Sequence, residues 1–380
     1  DMLKKKMALF MTVAMTAALF AGCSAGNSDK GDIKIGAIMS LTGTAATYGQ
    51  SGKNGIELLE KEVNSKGGIN GRKVKFMFED DEGKSANAIT VGEKLIDQEK
   101  AVGIIGPLLT SCCLSFGPIA QKDQVPMITG TGTAVKVTQA GNYIFRACFI
   151  DPFQGKAIAK FSSDNLKAKK AAVLYDNNID YSKGLAEAFT TNFEKSGGKV
   201  VSSKTYNTGD KDFSAQLTEI KAQDPDVLYL PDYYSVVAVI AKQARAMGIK
   251  SAFLGGDGWD SSDLAKIGGD SVEGAYYSNH YSPDDTSAEV QKFTKDYKSQ
   301  YGSVPDTMAA LNYDAAKLMV DAIKRAGKTD GDSIRKALTS TNLQVVSGRI
   351  KFDSDRNAVK PAVIVQVKDG SPKFVTKVNP

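Results

Sequence analysis

Histidine is almost missing from this chain. His280 is the only one in 380 residues, which removes His-rich metal sites and every nucleophilic triad built on a histidine base. Cysteine is scarce as well: four in all, and three (Cys112, Cys113, Cys148) once Cys23 is set aside. An odd set argues against a disulfide framework. The adjacent Cys112 and Cys113 are expected as buried thiols, a strained vicinal disulfide being the alternative. Net charge is small: +5 overall, and +3 without residues 1–22, from 45 Lys and Arg against 42 Asp and Glu. No basic stripe is interleaved with aromatics, so nucleic acid is not an expected partner. Long apolar runs are missing too. The one candidate, Met7–Phe20, has 14 residues, fewer than the roughly 20 a membrane-spanning helix needs.

What that short run offers is an export signal. Lys4, Lys5 and Lys6 precede it and Leu19-Phe20-Ala21-Gly22-Cys23 follows, the basic start, apolar core and small residues of a cleaved leader. The last five residues resemble a bacterial lipoprotein box, with Phe20 where Leu is commoner. Residues 1–22 are therefore expected to be a signal peptide and Cys23 the lipidated residue, an ordinary secretory signal being the alternative. Small polar residues from Ser24 to Gly31 cannot bury a core, so 23–31 reads as a flexible tether. The expected location is outside the cytoplasm, on the bacterial cell membrane.

The remaining 350 or so residues exceed what one core usually organises, and two domains are expected. Short runs of Val, Ile, Phe and Met alternate with amphipathic segments. The first half predicts strands Ile33–Met39, Val74–Glu79, Val102–Ile105 and Pro126–Thr129, with helices Gly52–Asn64, Ala86–Asp97 and Leu114–Lys122 between them. The rhythm restarts after Asp151-Pro152 with strands Ala171–Tyr175, Val200–Tyr206, Val227–Leu230, Phe253–Gly255 and Ala275–Ser278. Helices Ala288–Tyr301 and Thr307–Ala326 then come before strands Gly348–Lys351 and Ala362–Val367. Such βαβα alternation predicts an α/β protein with two doubly wound, Rossmann-like parallel sheets.

Several segments resemble the branched-chain amino acid binding proteins of bacterial ABC transporters. They include Leu41-Thr42-Gly43, Lys66-Gly67-Gly68-Ile69-Asn70-Gly71, Ile105-Gly106-Pro107, Asp180-Tyr181-Ser182-Lys183-Gly184-Leu185 and Gly255-Gly256-Asp257-Gly258-Trp259. Each is weak alone; together they follow the family's order from about 33 to 367. The resemblance implies the type I periplasmic binding fold, a Venus-flytrap of two lobes joined by a three-stranded hinge. Residues 32–150 and 282–350 would form the N-terminal lobe, and 151–281 and 351–380 the C-terminal lobe. The crossings are expected near Phe149–Phe153, Asn279–Ser282 and Arg349–Asp353.

An α-amino acid needs donors for its carboxylate and acceptors for its ammonium. Loops that open helices supply donors, because their free amides and the helix dipole favour an anion. Thr110 and Ser111, ahead of the helix expected from Leu114, suit this, as does the turn Thr131-Gly132-Thr133. The resemblance adds that Thr110 and Thr133 bind the carboxylate. It further implies that the Thr131 carbonyl and Asp257 accept from the ammonium, and that Tyr48, Tyr181 and Tyr233 close over the ligand. Helix capping suits Thr110 and Thr133 equally, an ordinary turn suits Asp257, and surface packing suits the tyrosines. Departures gather at Leu109, Cys112, Cys113, Gly130–Thr133, Ile179 and Ser235, so the side-chain pocket is where the chain differs from the family.

The function implied is capture of a small amino acid, branched-chain by family habit, by hinge closure, and delivery to the permease of an ABC importer. No cofactor is implied, and a monomer is expected. Alternatives are another amino acid or small carboxylate in the same fold, or a ligand-sensing module. An enzyme using Cys112 or Cys113 is disfavoured by the missing histidine and by the lack of a Gly-x-Ser-x-Gly or metal signature.

Overall fold

The computed structural model describes residues 31–380. The expected signal segment, Cys23 and all of the tether but Gly31 lie outside the described residues. Everything below belongs to the compact unit Ile33–Pro380.

Five strands form the first sheet: β1 (Ile33–Met39), β2 (Val74–Asp80), β3 (Ile104–Ile105), β4 (Met127–Thr129) and β5 (Ile144–Arg146). Their order is β2-β1-β3-β4-β5 and every pairing is parallel. Strand β1 is buried along nearly its whole length, as a strand covered on both faces must be, and this is why it reads as a continuous apolar run. A second sheet begins with β6 (Lys170–Asp176), β7 (Lys199–Tyr206), β8 (Val227–Tyr229), β9 (Ala252–Gly255) and β10 (Tyr276–Asn279). After a hairpin, β11 (Asn342–Val345) and β12 (Gly348–Lys351), the chain adds β13 (Ala362–Lys368) and β14 (Ser371–Val378) to the second sheet. The order there is β14-β13-β10-β9-β8-β6-β7. Strands β6 to β10 are parallel, and β13 and β14 antiparallel. Two doubly wound α/β lobes were the expected architecture, and two are present.

The late helices pack against the first lobe. Helix Thr307–Ala326 lies on helix Ala46–Ser65 so closely that a Cβ on Gly55 would stand 2.2 Å from the Ala309 carbonyl oxygen. Tyr301 and Tyr313 bond back to the Asn54 carbonyl and Glu62 at 3.0 and 2.7 Å.

Several elements differ from the sequence reading; helix Gly52–Asn64, for one, begins six residues earlier, at Ala46. The helix expected from Leu114 starts a turn earlier, at Thr110, behind an apolar N-cap, Leu109, that makes no side-chain bond. With no polar cap, the sequence carries no signal of that start. The third crossing falls later than Arg349–Asp353, and residues 351–358, expected in the C-terminal lobe, remain with the first. Phe352 packs edge-on against Phe145 at 5.1 Å, and Arg356 donates to the Ile144 and Thr138 carbonyls at 3.1 and 2.9 Å. These contacts hold the chain to the first sheet until about residue 358, before it enters β13.

Candidate functional site

In open doubly wound sheets, ligand sites form beyond the carboxyl ends of the strands. Those ends of the two sheets face each other here. From the first lobe come the turns after β3 and β4. Thr129 donates to the Pro107 carbonyl at 2.7 Å and accepts from the Gly132 amide at 2.9 Å, while Thr131 Oγ1 donates to the Leu108 carbonyl at 2.7 Å. The two turns are thus one knitted surface. Arg146, wholly buried, fixes it from below by donating to the Gly132 and Val135 carbonyls and Thr138 Oγ1 at 2.8, 3.1 and 3.1 Å.

From the second lobe come Tyr181, at the start of helix Asp180–Lys195, Tyr233, before helix Tyr234–Ala246, and Asp257, just past β9. Tyr181 and Tyr233 stack with centroids 5.0 Å apart and planes within 5°. Tyr48 reaches across from the first lobe, edge-on to Tyr233 at 6.2 Å, and its hydroxyl donates to the Gly258 carbonyl. Burial raises the pKa of all three hydroxyls, so they remain donors.

Six of the expected residues, Tyr48, Thr110, Thr131, Tyr181, Tyr233 and Asp257, line one interlobe cavity of about 20 Å³. Its other walls are Leu108, Leu109 and Met308. Such a space holds about one water. Ser111 is not in the lining; its carbonyl accepts from Ser85 and Ser115 at 3.2 and 3.0 Å. Thr133 is not in the lining either. It is fully buried, with a hydroxyl that has no partner among the described residues, and its carbonyl accepts from the Asp151 amide at 3.1 Å.

The Asp257 carboxylate is buried and held by three neutral groups. Oδ1 accepts from the Tyr181 hydroxyl at 2.8 Å and Gln154 Nε2 at 3.1 Å, and Oδ2 lies 2.9 Å from His280 Nε2. Burial lowers the pKa of His280 to about 4 despite the carboxylate. Close by, Asp151 is pushed up to about 8, chiefly by burial and then by Asp257. Thr133 and Gln154 are its polar neighbours, yet neither Asp151 oxygen has a bonded partner.

Cys112, Cys113 and Cys148 are free and buried, and burial pushes the Cys113 and Cys148 thiols up to about 12. None is a poised nucleophile. A larger groove of about 590 Å³ opens beside Lys136, Asp151, Asp180 and Lys183. It is broad and charged, and it holds none of the expected binding residues. No group of acidic, histidine or cysteine residues that could bind a metal occurs among the described residues.

The sequence reading did not single out Leu108, Met308, Gln154 or His280 for the site. Met308 fell only within the expected helix Thr307–Ala326 and Leu108 in no expected element, while Gln154 sits in a helix, Asp151–Asp164, that the apolar pattern did not reveal. His280 was visible only as a count of one.

The profile of the periplasmic binding protein family matches residues 32–372. The chain belongs to that family. Its members are extracytoplasmic solute-binding proteins. The Leu/Ile/Val-binding protein BraC3 of Rhizobium johnstonii is 31% identical over 85% of this chain and 88% of its own. The crystal structure of a leucine-binding protein, LivK, from Thermotoga maritima superimposes with a TM-score of 0.88 at 37% identity, covering 92% of this chain and 99% of that one. The branched-chain amino acid transporter binding protein LivJ of Streptococcus pneumoniae, in complex with isoleucine, gives 0.87 at 32% identity over 92% and 100%. The resemblance seen in the ordered sequence motifs is thereby borne out, as is the two-lobed type I fold.

Proposed function

We propose that this protein captures a branched-chain aliphatic amino acid between its lobes and delivers it to the permease of an ABC importer, held at the membrane by a lipid on Cys23. The observation that carries the reading is the opposition of charges across the cavity. On one wall the helix from Thr110 presents first-turn amides, which by helix geometry lack intrahelical partners and favour a carboxylate. On the other stands Asp257, buried and bonded only by neutral donors among the described residues, with the buried Lys360 ammonium acting on it at a distance while donating to Ser347. A buried carboxylate with no bonded cation calls for one, and the ammonium of an amino acid supplies it while its carboxylate meets the helix. Leu108, Leu109 and Met308 give an apolar wall for an aliphatic side chain.

In this reading residues 32 to about 358, less 151–281, form the lobe that receives the ligand first, and the other lobe closes on it. Differential affinity for the closed form shifts the population, and the importer reads the closed shape.

Thermal unfolding and calorimetry with leucine, isoleucine and valine test this. A ligand at 100 times its dissociation constant adds about 2.7 kcal/mol of stability. Wild type is expected to be stabilised by at least one of the three, and Asp257→Ala to lose the effect. Stabilisation by other amino acids alone would reassign the apolar wall. Undiminished binding by Asp257→Ala would sink the ammonium assignment.

A further inference from the structure

The only histidine of the chain sits against the carboxylate at the centre of the site. Strands β9 and β10 run parallel, with Leu254 opposite Tyr276 and Gly255 opposite Tyr277, so both end at the same edge. Asp257 follows one and His280 the other. The His280 ring is fully buried, with Nε2 2.9 Å from Asp257 Oδ2. A carboxylate oxygen only accepts, so the ring proton lies on Nε2, and Nδ1 is left bare with no partner among the described residues. The ring is pinned flat on Phe149, centroids 3.5 Å apart and planes within 20°. Phe149 belongs to the first connection between the lobes and His280 to the second, so the pair anchors the site to the hinge.

The opposite side of the carboxylate is equally fixed. Gln154 donates to Oδ1 while its own oxygen accepts from the Asp257 amide at 2.6 Å and the Ser278 hydroxyl at 2.8 Å. Its orientation is set by these two donors. A carboxylate offers about four acceptor positions, of which Tyr181, Gln154 and His280 fill three. All three donors are neutral. They orient the group without cancelling its charge, whereas a lysine or arginine partner would compete with the guest's own cation.

We propose that His280 is a positioning residue for amine recognition. By holding Oδ2 it fixes the plane of the Asp257 carboxylate so that the remaining acceptor position faces the ligand. The site thereby prefers α-amino acids to α-hydroxy acids of the same shape. This rests on Asp257 being the ammonium acceptor.

The test is calorimetry of the purified protein with two probes, leucine and 2-hydroxy-4-methylpentanoate, which keeps the carboxylate and side chain but carries a hydroxyl in place of the ammonium. Wild type is expected to favour leucine strongly. His280→Ala should lower that preference by about tenfold, as loss of one hydrogen bond to a charged group implies, through weaker leucine binding with the analogue little changed. His280→Gln, whose amide reaches as far as Nε2, should restore most of the preference. His280→Asn, which is shorter, should not, and this pair decides the matter if the alanine variant fails to fold. Equal weakening of both probes, or no change in their ratio, overturns the proposal. Asp257→Asn is the separate arm. If it keeps the preference, the Asp257 reading itself fails; if it loses the preference while His280→Ala keeps it, only the role of His280 falls.

Discussion

Arg146 shows how a single buried side chain shapes a site it does not enter. A guanidinium cannot shed its proton in a protein, and burial works against its charge. It persists because three acceptors of the Gly132–Thr138 segment surround two of its nitrogens. That segment carries Thr133 and adjoins Thr131, so the arginine trades desolvation for a rigid binding turn. Hydrogen bonds to charged groups contribute about 1.5–3 kcal/mol each, and removal also strands buried carbonyls. Arg146→Met is expected to cost about 3 kcal/mol or more in urea unfolding. Arg146→Lys keeps the charge but not the planar fork, so it should retain part of the stability while still weakening ligand binding. Ligand affinity that survives unaltered in Arg146→Met would show that the turn needs no such support.

At the scale of elements, glycine spacing decides how the helices meet. In helix Ala46–Ser65, alanine at Gly55 would gain about 1 kcal/mol of helix propensity. Its Cβ, however, would meet the backbone of Ala309 at 2.2 Å, and backbone cannot yield as a side chain can. Overpacking costs typically 1–3 kcal/mol, so Gly55→Ala should be net destabilising. Gly184, in helix Asp180–Lys195, has its nearest neighbour at 3.5 Å, and Gly184→Ala should be neutral or stabilising by up to about 1 kcal/mol. Chemical unfolding of the two variants checks both signs. The elements legible in the sequence were those with long or continuous apolar patterns. Strand β1, helices Ala288–Tyr301 and Thr307–Ala326, and strand β12 have the bounds that the pattern predicts. Strand β5 escaped because it is three residues long and ends in buried Arg146, a residue that normally signals solvent. Helix Asp151–Asp164 escaped because it buries Asp151, Gln154 and Ser162 along with its apolar face, which blurs the period. The same property hid half of the site. Apolar periodicity locates cores, but it cannot tell that Gln154 and His280 are buried around Asp257. Thr110 was reached from its place ahead of an expected helix, and Tyr48, Tyr181, Tyr233 and Asp257 only through the ordered motifs.

Across the whole molecule the lobes meet through polar contacts that opening would break. Tyr234 donates to the Thr44 carbonyl at 3.0 Å, Thr47 and Ser261 lie 3.1 Å apart, and Lys136 pairs with Asp180 at 3.1 Å. The most consequential interaction is the repulsion between two acids. Asp260, from the second lobe, accepts from Tyr277 at 2.8 Å and from the Thr307 amide of the first lobe at 2.7 Å. Asp306, the N-cap of helix Thr307–Ala326, accepts from Ala309 at 2.9 Å and Ser51 at 2.6 Å. Both border one interlobe cavity with Asp284, Tyr281, Tyr297 and Lys373, and Asp257 adds a further negative charge near Asp260. Burial and then Asp260 push Asp306 up to about 7, and burial raises Asp260 as well. Parting the lobes takes each acid away from the other and strips the Thr307 amide from Asp260, so both move toward the ordinary carboxylate value of about 4. The closed form therefore holds a proton that the open form releases. Closure is favoured in full below about pH 4, loses that advantage as the pH rises toward 7, and is insensitive to this pair above it. Ligand affinity should fall by up to about tenfold per pH unit across that window for one linked proton. Calorimetry of leucine binding in buffers of different ionisation enthalpy counts the protons taken up. Asp306→Asn keeps a good helix cap and should flatten the profile between pH 5 and 7. A slope that persists in this variant would assign the proton to another group, with Asp151 at the hinge the next to examine by the corresponding asparagine change.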